Sequence, residues 1–455
     1  MEHYGLLSLI PAATVIILAL VTRRTLEPLI IGAVVGFFIL AGPTGFFGAT
    51  IDAVYTVMMD GTTVWVILVC MLFGSLIALL EKSGGALGFS TIATKIAKNR
   101  SSSLLITWIL GIIVFVDDYL NALAVGIAMR KVTDKYNVPR EFLAYVINST
   151  GATVCVLIPF STWSAFMVGQ MEASGAAAAG AGTSVYISTI PFILYAWAAV
   201  IIVPLFCLRV IPTFGPMRLA EKRAEQNHQM LPDSTRASAE SLAVVEENLK
   251  SEPKAFNFII PMLILAGVTI YTADMLTGVI FGILSCLVLF LPQKLIKPAE
   301  FGDVAVSGAK DMVMVLAIVV CAFILQQANG ALGLAPFVIE SVEPILSPQL
   351  LPAISFLIIA LIAFATGSFW GVAAIAFPII IPLAQSMDVS VLIASGAVIS
   401  GAVFGSHSCF YSDAATLTCA SSQIQNIDYA RTVLPLLAVP LAVGMAAFLI
   451  VGFVF

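Results

Sequence analysis

The sequence predicts an all-α polytopic membrane protein of two inverted repeats, each with five transmembrane spans and one re-entrant hairpin, about ten spans in total. Three observations predict it. The 455 residues are 60% hydrophobic and only 10% charged, against about 25% charged in soluble domains. The basic residues cluster in a few loops. The same order of elements runs through the chain twice. The net charge of −5 decides little, because in a membrane protein the placement of charge matters more than its sum. Mean hydropathy is +1.05.

Taken in order, apolar runs long enough to cross a hydrocarbon core of about 30 Å lie near 5–21, 28–45, 63–80, 141–168, 186–208, 256–272, 277–292, 312–328, 391–420 and 433–455. The first lacks the basic flank and cleavage site of a signal peptide and reads as a retained span. Two further apolar segments, 104–129 and 351–383, remain to be placed. Short cytoplasmic loops collect Lys and Arg. If 104–129 crossed once, Lys82, Lys95, Lys98 and Arg100 would face away from Arg130, Lys131, Lys135 and Arg140. If it dips in and returns, and 351–383 does the same from outside, all 21 basic residues face the cytoplasm. Both are therefore read as hairpins from opposite faces. Non-helical backbone at that depth requires cover from protein or a water-filled cavity, which makes each hairpin tip a candidate site.

The repeat is visible in sequence. Residues 79–88, LLEKSGGALG, align with 324–333, ILQQANGALG, 245 positions later. The offset then drifts to about 251, placing Ser149 on Ser400 and Ser161 on Ser412. Residues 1–212 form the first repeat and 256–455 the second. An odd number of crossings in each half inverts the second. Inverted repeats with interrupted helices mark secondary transporters, with the substrate at the repeat interface. Residues 213–255 read as a polar cytoplasmic tether with one short surface helix.

Ionisable and polar groups at membrane depth are costly and point to function. The first hairpin carries Asp117, Asp118 and Asn121; adjacent carboxylates supply hard oxygen ligands and bind protons in competition. One Asp capping the returning helix is the plainer alternative. The long span of the first repeat carries Asn148, Ser149 and Thr150, then Pro159, Ser161 and Thr162, where Gly and Pro signal a helix break that frees carbonyls for a cation and N–H groups for an anion. The second hairpin carries Thr366, Gly367 and Ser368, and the second long span His407, Ser408, Ser412, Asp413 and Thr416. Six residues of regular helix would hold His407 and Asp413 about 9 Å apart along the axis. Asp117, Asp118, Asn121, Ser412, Asp413 and Thr416 are the ion- and proton-binding candidates, with sodium placed at Asp117 and Asp413. Asn148, Ser149, Thr150, Ser161, Thr162, Thr366, Gly367, Ser368, His407 and Ser408 are the substrate candidates. The seven cysteines sit in apolar stretches without metal-ligand spacing and read as small buried hydrophobes.

Four segments, FVDDYLNALAVGIAMRKVTDKYNVPREFLAYVINSTGA at 115–152, PFSTW at 159–163, ATGSFWGVAAIAFPIIIPLA at 365–384, and SDAATL at 412–417 with IDYARTVLPL at 427–436, resemble the NhaC family of Na+/H+ antiporters. The resemblance implies an ion-transporter-type fold, a dimer, and movement of Na+ against H+, with relatives that carry organic acids or amino acids. Where the family has an Asp, this chain has Asn148, and Phe410 and Tyr411 replace smaller residues. Both changes suit a larger, organic substrate.

Two transport functions compete. One is Na+/H+ antiport; the other is Na+- or H+-coupled transport of an amino acid or small organic acid. An intramembrane metalloenzyme needs converging His, Cys or Asp ligands, and only His407 among the three histidines lies at depth. A channel fits two inverted hairpins poorly. No cofactor is expected beyond Na+ and H+ as transported or coupling ions, no ATP site of the GxxxxGK[ST] type is present, and no nucleic-acid partner is expected. The expected location is the cytoplasmic membrane, with both termini outside and 213–255 in the cytoplasm.

Overall fold

The computed structural model describes residues 3–22, 26–85, 88, 95–115, 118–159, 161–178, 180–232, 234–235, 254–272, 274–342, 347–367 and 369–454. Its regular elements are helical. In chain order they are α1 Ile10–Thr22, α2 Leu26–Met59, α3 Gly61–Lys82, α4 Arg100–Ile113, α5 Asp118–Lys135, α6 Arg140–Asn148, α7 Ala152–Cys155, α8 Thr162–Ala173, α9 Gly182–Thr189, α10 Leu194–Cys207 and α11 Gly215–Asn227. The second half holds α12 Phe256–Thr272, α13 Met275–Phe290, α14 Pro298–Asp311, α15 Val313–Ala331, α16 Leu334–Val342, α17 Leu351–Thr366, α18 Phe369–Ser386, α19 Val391–Ser408, α20 Asp413–Ser422 and α21 Asn426–Val454.

Among the described residues, five helices are long and apolar enough to cross a membrane, or up to seven if two bent pairs each count as one span. This establishes a multi-pass membrane protein. Shorter apolar helices occupy the positions of the expected first, sixth and seventh spans. The second span differs from expectation. The chain does not leave the helix near residue 45 but kinks at Gly42, where φ is 69°, and stays helical to Met59. The φ permits the bend because glycine has no Cβ, and Pro43 directly after it has the fixed φ that suits the first turn of a continuing helix.

Short polar residues set where helices start. Asp60 accepts from the Thr63 backbone N–H at 2.9 Å to cap α3. Asn99 with Ser102 and Ser161 with Ser164 form reciprocal capping boxes at α4 and α8. Ser412 caps α20. Each satisfies N–H groups that the first helical turn leaves without partners.

Packing fixes the directions of the limbs. A Cβ on Gly401 would meet the Ile359 side chain at 2.7 Å and one on Gly405 would meet that of Ala363 at 2.1 Å. The register advances together on both helices, so α17 and α19 run parallel in direct contact and α18, which joins them in the chain, runs the opposite way. Small residues are what let helices in lipid approach this closely. In the first half the Tyr136 hydroxyl, just past α5, donates to the Ala97 carbonyl, just before α4. Arg130 near the end of α5 pairs with Glu81 at 2.9 Å. Both ends of the α4–α5 hairpin therefore meet at one mouth. The start of α17, the α18–α19 turn and the end of α21 line a common cavity of about 280 Å³, which is the mouth of the α17–α18 hairpin. At the other end of α21, Asp428 accepts from Ser234 at 2.7 Å. Linker residue Glu221 pairs with Arg100 at the first mouth. With 29 residues, α21 is about 43 Å long at 1.5 Å per residue. The two mouths lie at its opposite ends.

Candidate functional site

Both long polar helices break. In the first half α6 ends at Asn148, the chain turns through Ser149, Thr150 and Gly151, and α7 follows. In the second, α19 ends at Ser408 and Cys409–Ser412 are unwound before α20. His407 and Asp413 thus lie on either side of a break, and the axial spacing expected from a regular helix does not apply. At the break the Ser412 hydroxyl takes the carbonyl that a continuous helix would offer to the N–H four residues on. Ser412 donates to the Ser406 carbonyl at 2.9 Å, and Ser408 bonds back to Phe404 at 2.7 Å.

The first hairpin reaches both breaks. Asn121 donates through Nδ2 to the Gly111 carbonyl at 2.6 Å and the Val114 carbonyl at 3.1 Å, binding the two limbs together, and to the Thr150 carbonyl at 3.2 Å. Its Oδ1 is buried without a hydrogen-bond partner. Asp118, at the first turn of α5, lies beside Gly151: a Cβ there would be 3.6 Å from the Asp118 Cβ. Tyr119, the next residue, donates its hydroxyl to Asp413 at the start of α20. The other Asp413 oxygen accepts from the Ala414 N–H at 2.7 Å. Asp413 is 6% exposed. Asp117 lies outside the described residues.

A second polar cluster joins the halves. His407 is buried with both ring nitrogens engaged, Nε2 with the Ser149 hydroxyl at 2.9 Å and Nδ1 with the Tyr195 hydroxyl at 2.9 Å. Its carbonyl accepts from the Asn148 amide at 3.0 Å and from the Tyr429 hydroxyl at 2.7 Å. Asn148 and Tyr429 are themselves 2.6 Å apart. Asn148 and Ser149, at the first break, are thereby fastened to the last turn before the second.

The remaining predicted residues fall into two groups. Thr416 is part of the second break, donating to the Ser412 carbonyl at 2.7 Å and accepting from Asn426 at 2.8 Å. Ser161 donates to the Cys155 carbonyl at 2.6 Å and caps α8. Thr150 and Thr366 bond back to their own helices, at 3.0 Å to Ile147 and 2.9 Å to Ile362. Gly367 turns the second hairpin at φ 68°, against the Tyr411 ring, whose hydroxyl holds the Ala365 carbonyl at 2.7 Å. Ser368 and the side chain of Thr162 lie outside the described residues. Sequence reasoning passed over Tyr119, Tyr195, Tyr429 and Asn426, and weighed Tyr411 only for its bulk. Tyr119 stands inside the quoted Asp-Asp-Tyr motif, but nothing in the sequence pairs it with Asp413. Among the described residues no three His, Cys, Asp or Glu side chains converge on a metal site.

A multi-pass helical bundle with buried polar groups gathered at two helix breaks defines a membrane transporter. The model of the Na+/H+ antiporter family matches residues 154–453, and the chain belongs to that family, as its resemblance to NhaC implied. An uncharacterized protein of Haemophilus influenzae is 28% identical, covering 98% of this chain and 91% of the relative. Membership of that family makes the chain a membrane transporter of the antiporter class.

Proposed function

We propose that the chain exchanges Na+ for H+ by alternating access, with Asp413 as the carboxylate for which the two compete. The observation that carries this is the placing of Asp413: it is buried, follows unwound backbone directly, and is held by a phenol from the other half. A cation bound there takes further oxygens from hydroxyls and from carbonyls freed at the break. Asp118, and Asp117 with it, supplies the second acidic group. A cation beside a carboxylate favours its charged form, so Na+ loading expels the proton, and proton loading expels Na+.

Packing supports an inverted repeat. Exchanging α4, α5, α8 and α10 for α17, α18, α20 and α21 turns the observed pairs α5–α20 and α4–α10 into the observed pairs α18–α8 and α17–α21. The hairpin mouths at opposite ends of α21 fit two faces of a membrane. A cytoplasmic linker, termini on the outside, ten spans and a homodimer belong to the same reading.

A second reading, coupled transport of an amino acid or small organic acid, is favoured by one feature. Trp163 stacks on Phe369 at 3.8 Å and meets Trp370 at 5.3 Å. Its buried indole N–H has no hydrogen-bond partner. An organic solute with an acceptor group suits that seam better than Na+ does. Uptake of radioactive sodium into proteoliposomes holding an outward proton gradient tests the first reading. Uptake that dissipates with a protonophore supports it. No uptake, with an amino acid or carboxylate raising the melting temperature instead, replaces it with the second.

A further inference from the structure

The start of the linker is more than a tether. Glu221 on α11, 6% exposed, pairs with Arg100 at the first hairpin mouth and accepts from Thr213. Two residues on, Arg223 reaches Glu141 at the start of α6 at 2.8 and 2.9 Å, and also donates to the Gln229 carbonyl at 3.1 Å. The Glu141 side chain is only 2% exposed. The Arg140 backbone N–H donates to the Met230 carbonyl at 3.0 Å, while the Arg140 guanidinium spans Asp134 at 2.6 Å and Gln423 at 3.0 Å. Beyond these, Gln425 donates to the Ser234 carbonyl at 3.0 Å, and Ser234 and Thr235 donate to Asp428.

Apart from Thr213 and Gln229 of the linker itself, these partners lie at the first mouth, the start of the broken α6, the α20–α21 turn and the start of α21. Removing one member of a buried pair strands the other charge and is far costlier than losing a surface pair. A segment held by buried pairs moves with what holds it. We propose that residues 209–232, with Ser234 and Thr235, are a clasp that binds the first hairpin mouth, α6 and the α20–α21 turn into one body. During alternating access this clasp travels with that body. The inference rests on the alternating-access reading.

Two experiments on the full chain decide it. In the first, Ser234→Cys with Gln425→Cys is bridged by a short bis-maleimide, with the wild-type chain as control. Na+ exchange within twofold of the unbridged protein is expected, since the bridged groups never part. A tenfold loss overturns the clasp. In the second, thermal unfolding compares Arg223→Glu with Arg223→Glu, Glu141→Arg. The single variant melts several degrees lower and the swap recovers most of the loss; equal midpoints overturn the proposal. If the wild-type protein exchanges no Na+, the antiport reading fails, and the unfolding midpoints still decide the clasp.

Discussion

The Tyr119 hydroxyl donates to the Asp413 carboxylate across 294 residues of sequence, tying the tip of the first hairpin to the break in the last polar helix. Tyr119 also lies under Trp65, ring centres 6.2 Å apart, and the Trp65 indole donates to Asp274 at 3.1 Å. One phenol thus touches the carboxylate at the start of α20 and the Trp65 ring on α3. A hydrogen bond to a charged group contributes about 1.5–3 kcal/mol. Tyr119→Phe leaves the carboxylate unheld over the break, and the half-saturating Na+ concentration for exchange rises about tenfold or more, as each 1.4 kcal/mol is tenfold. A sodium titration of proton efflux from liposomes checks this.

Asn148 stands where the resembling family carries Asp, and its amide shows why a carboxylate does not fit here. Nδ2 donates to the His407 carbonyl at 3.0 Å; an ionised Asp has no hydrogen to give and would face that oxygen directly. Asn148→Asp, although it restores the family residue, destabilises the protein by about 1–3 kcal/mol, the cost of unmet buried polar groups. The drop is read as a lower unfolding midpoint in detergent.

Gly405 sits against Ala363 with no room for a side chain. Gly405→Val forces α17 from α19, and overpacking of this kind costs about 1–3 kcal/mol. At Gly330 an added Cβ would meet nothing within 4 Å, so Gly330→Ala changes the midpoint far less. Parallel unfolding curves of the two variants separate crowding from a general effect of losing glycine.

His407→Ala removes the partner of both the Ser149 and Tyr195 hydroxyls. It costs about 2 kcal/mol or more, within the range for stranded buried donors. The double variant Ser149→Ala, His407→Ala loses less than the two single losses added, because the residues share one bond. A double-mutant cycle on unfolding free energy measures the difference.

The helical elements and the polar breaks were legible because each leaves a local mark. Gly and Pro interrupt apolar runs at 148–162, and Ser412-Asp413 stands in an otherwise apolar stretch. The short surface helix in the linker was legible for the same reason and is α11. The continuation of α2 to Met59 was not, since a kinked helix and a loop share the same glycine. The tyrosines of the site were also hidden. Tyr195 lies in an apolar span and Tyr429 just ahead of one, where a tyrosine reads as packing until its hydroxyl is seen on His407. Pairings such as Tyr119 with Asp413 depend on tertiary approach, on which periodicity is silent.

The most direct test reconstitutes wild-type protein and Asp413→Asn in liposomes loaded with a pH-sensitive dye, imposes a proton gradient acid inside, and adds Na+ outside. The account predicts rapid dequenching for wild type and none above empty liposomes for Asp413→Asn, at equal protein incorporation. Equal dequenching by both proteins would contradict the place given to Asp413, and no response of the wild type to Na+, Li+ or K+ would contradict cation/proton exchange itself.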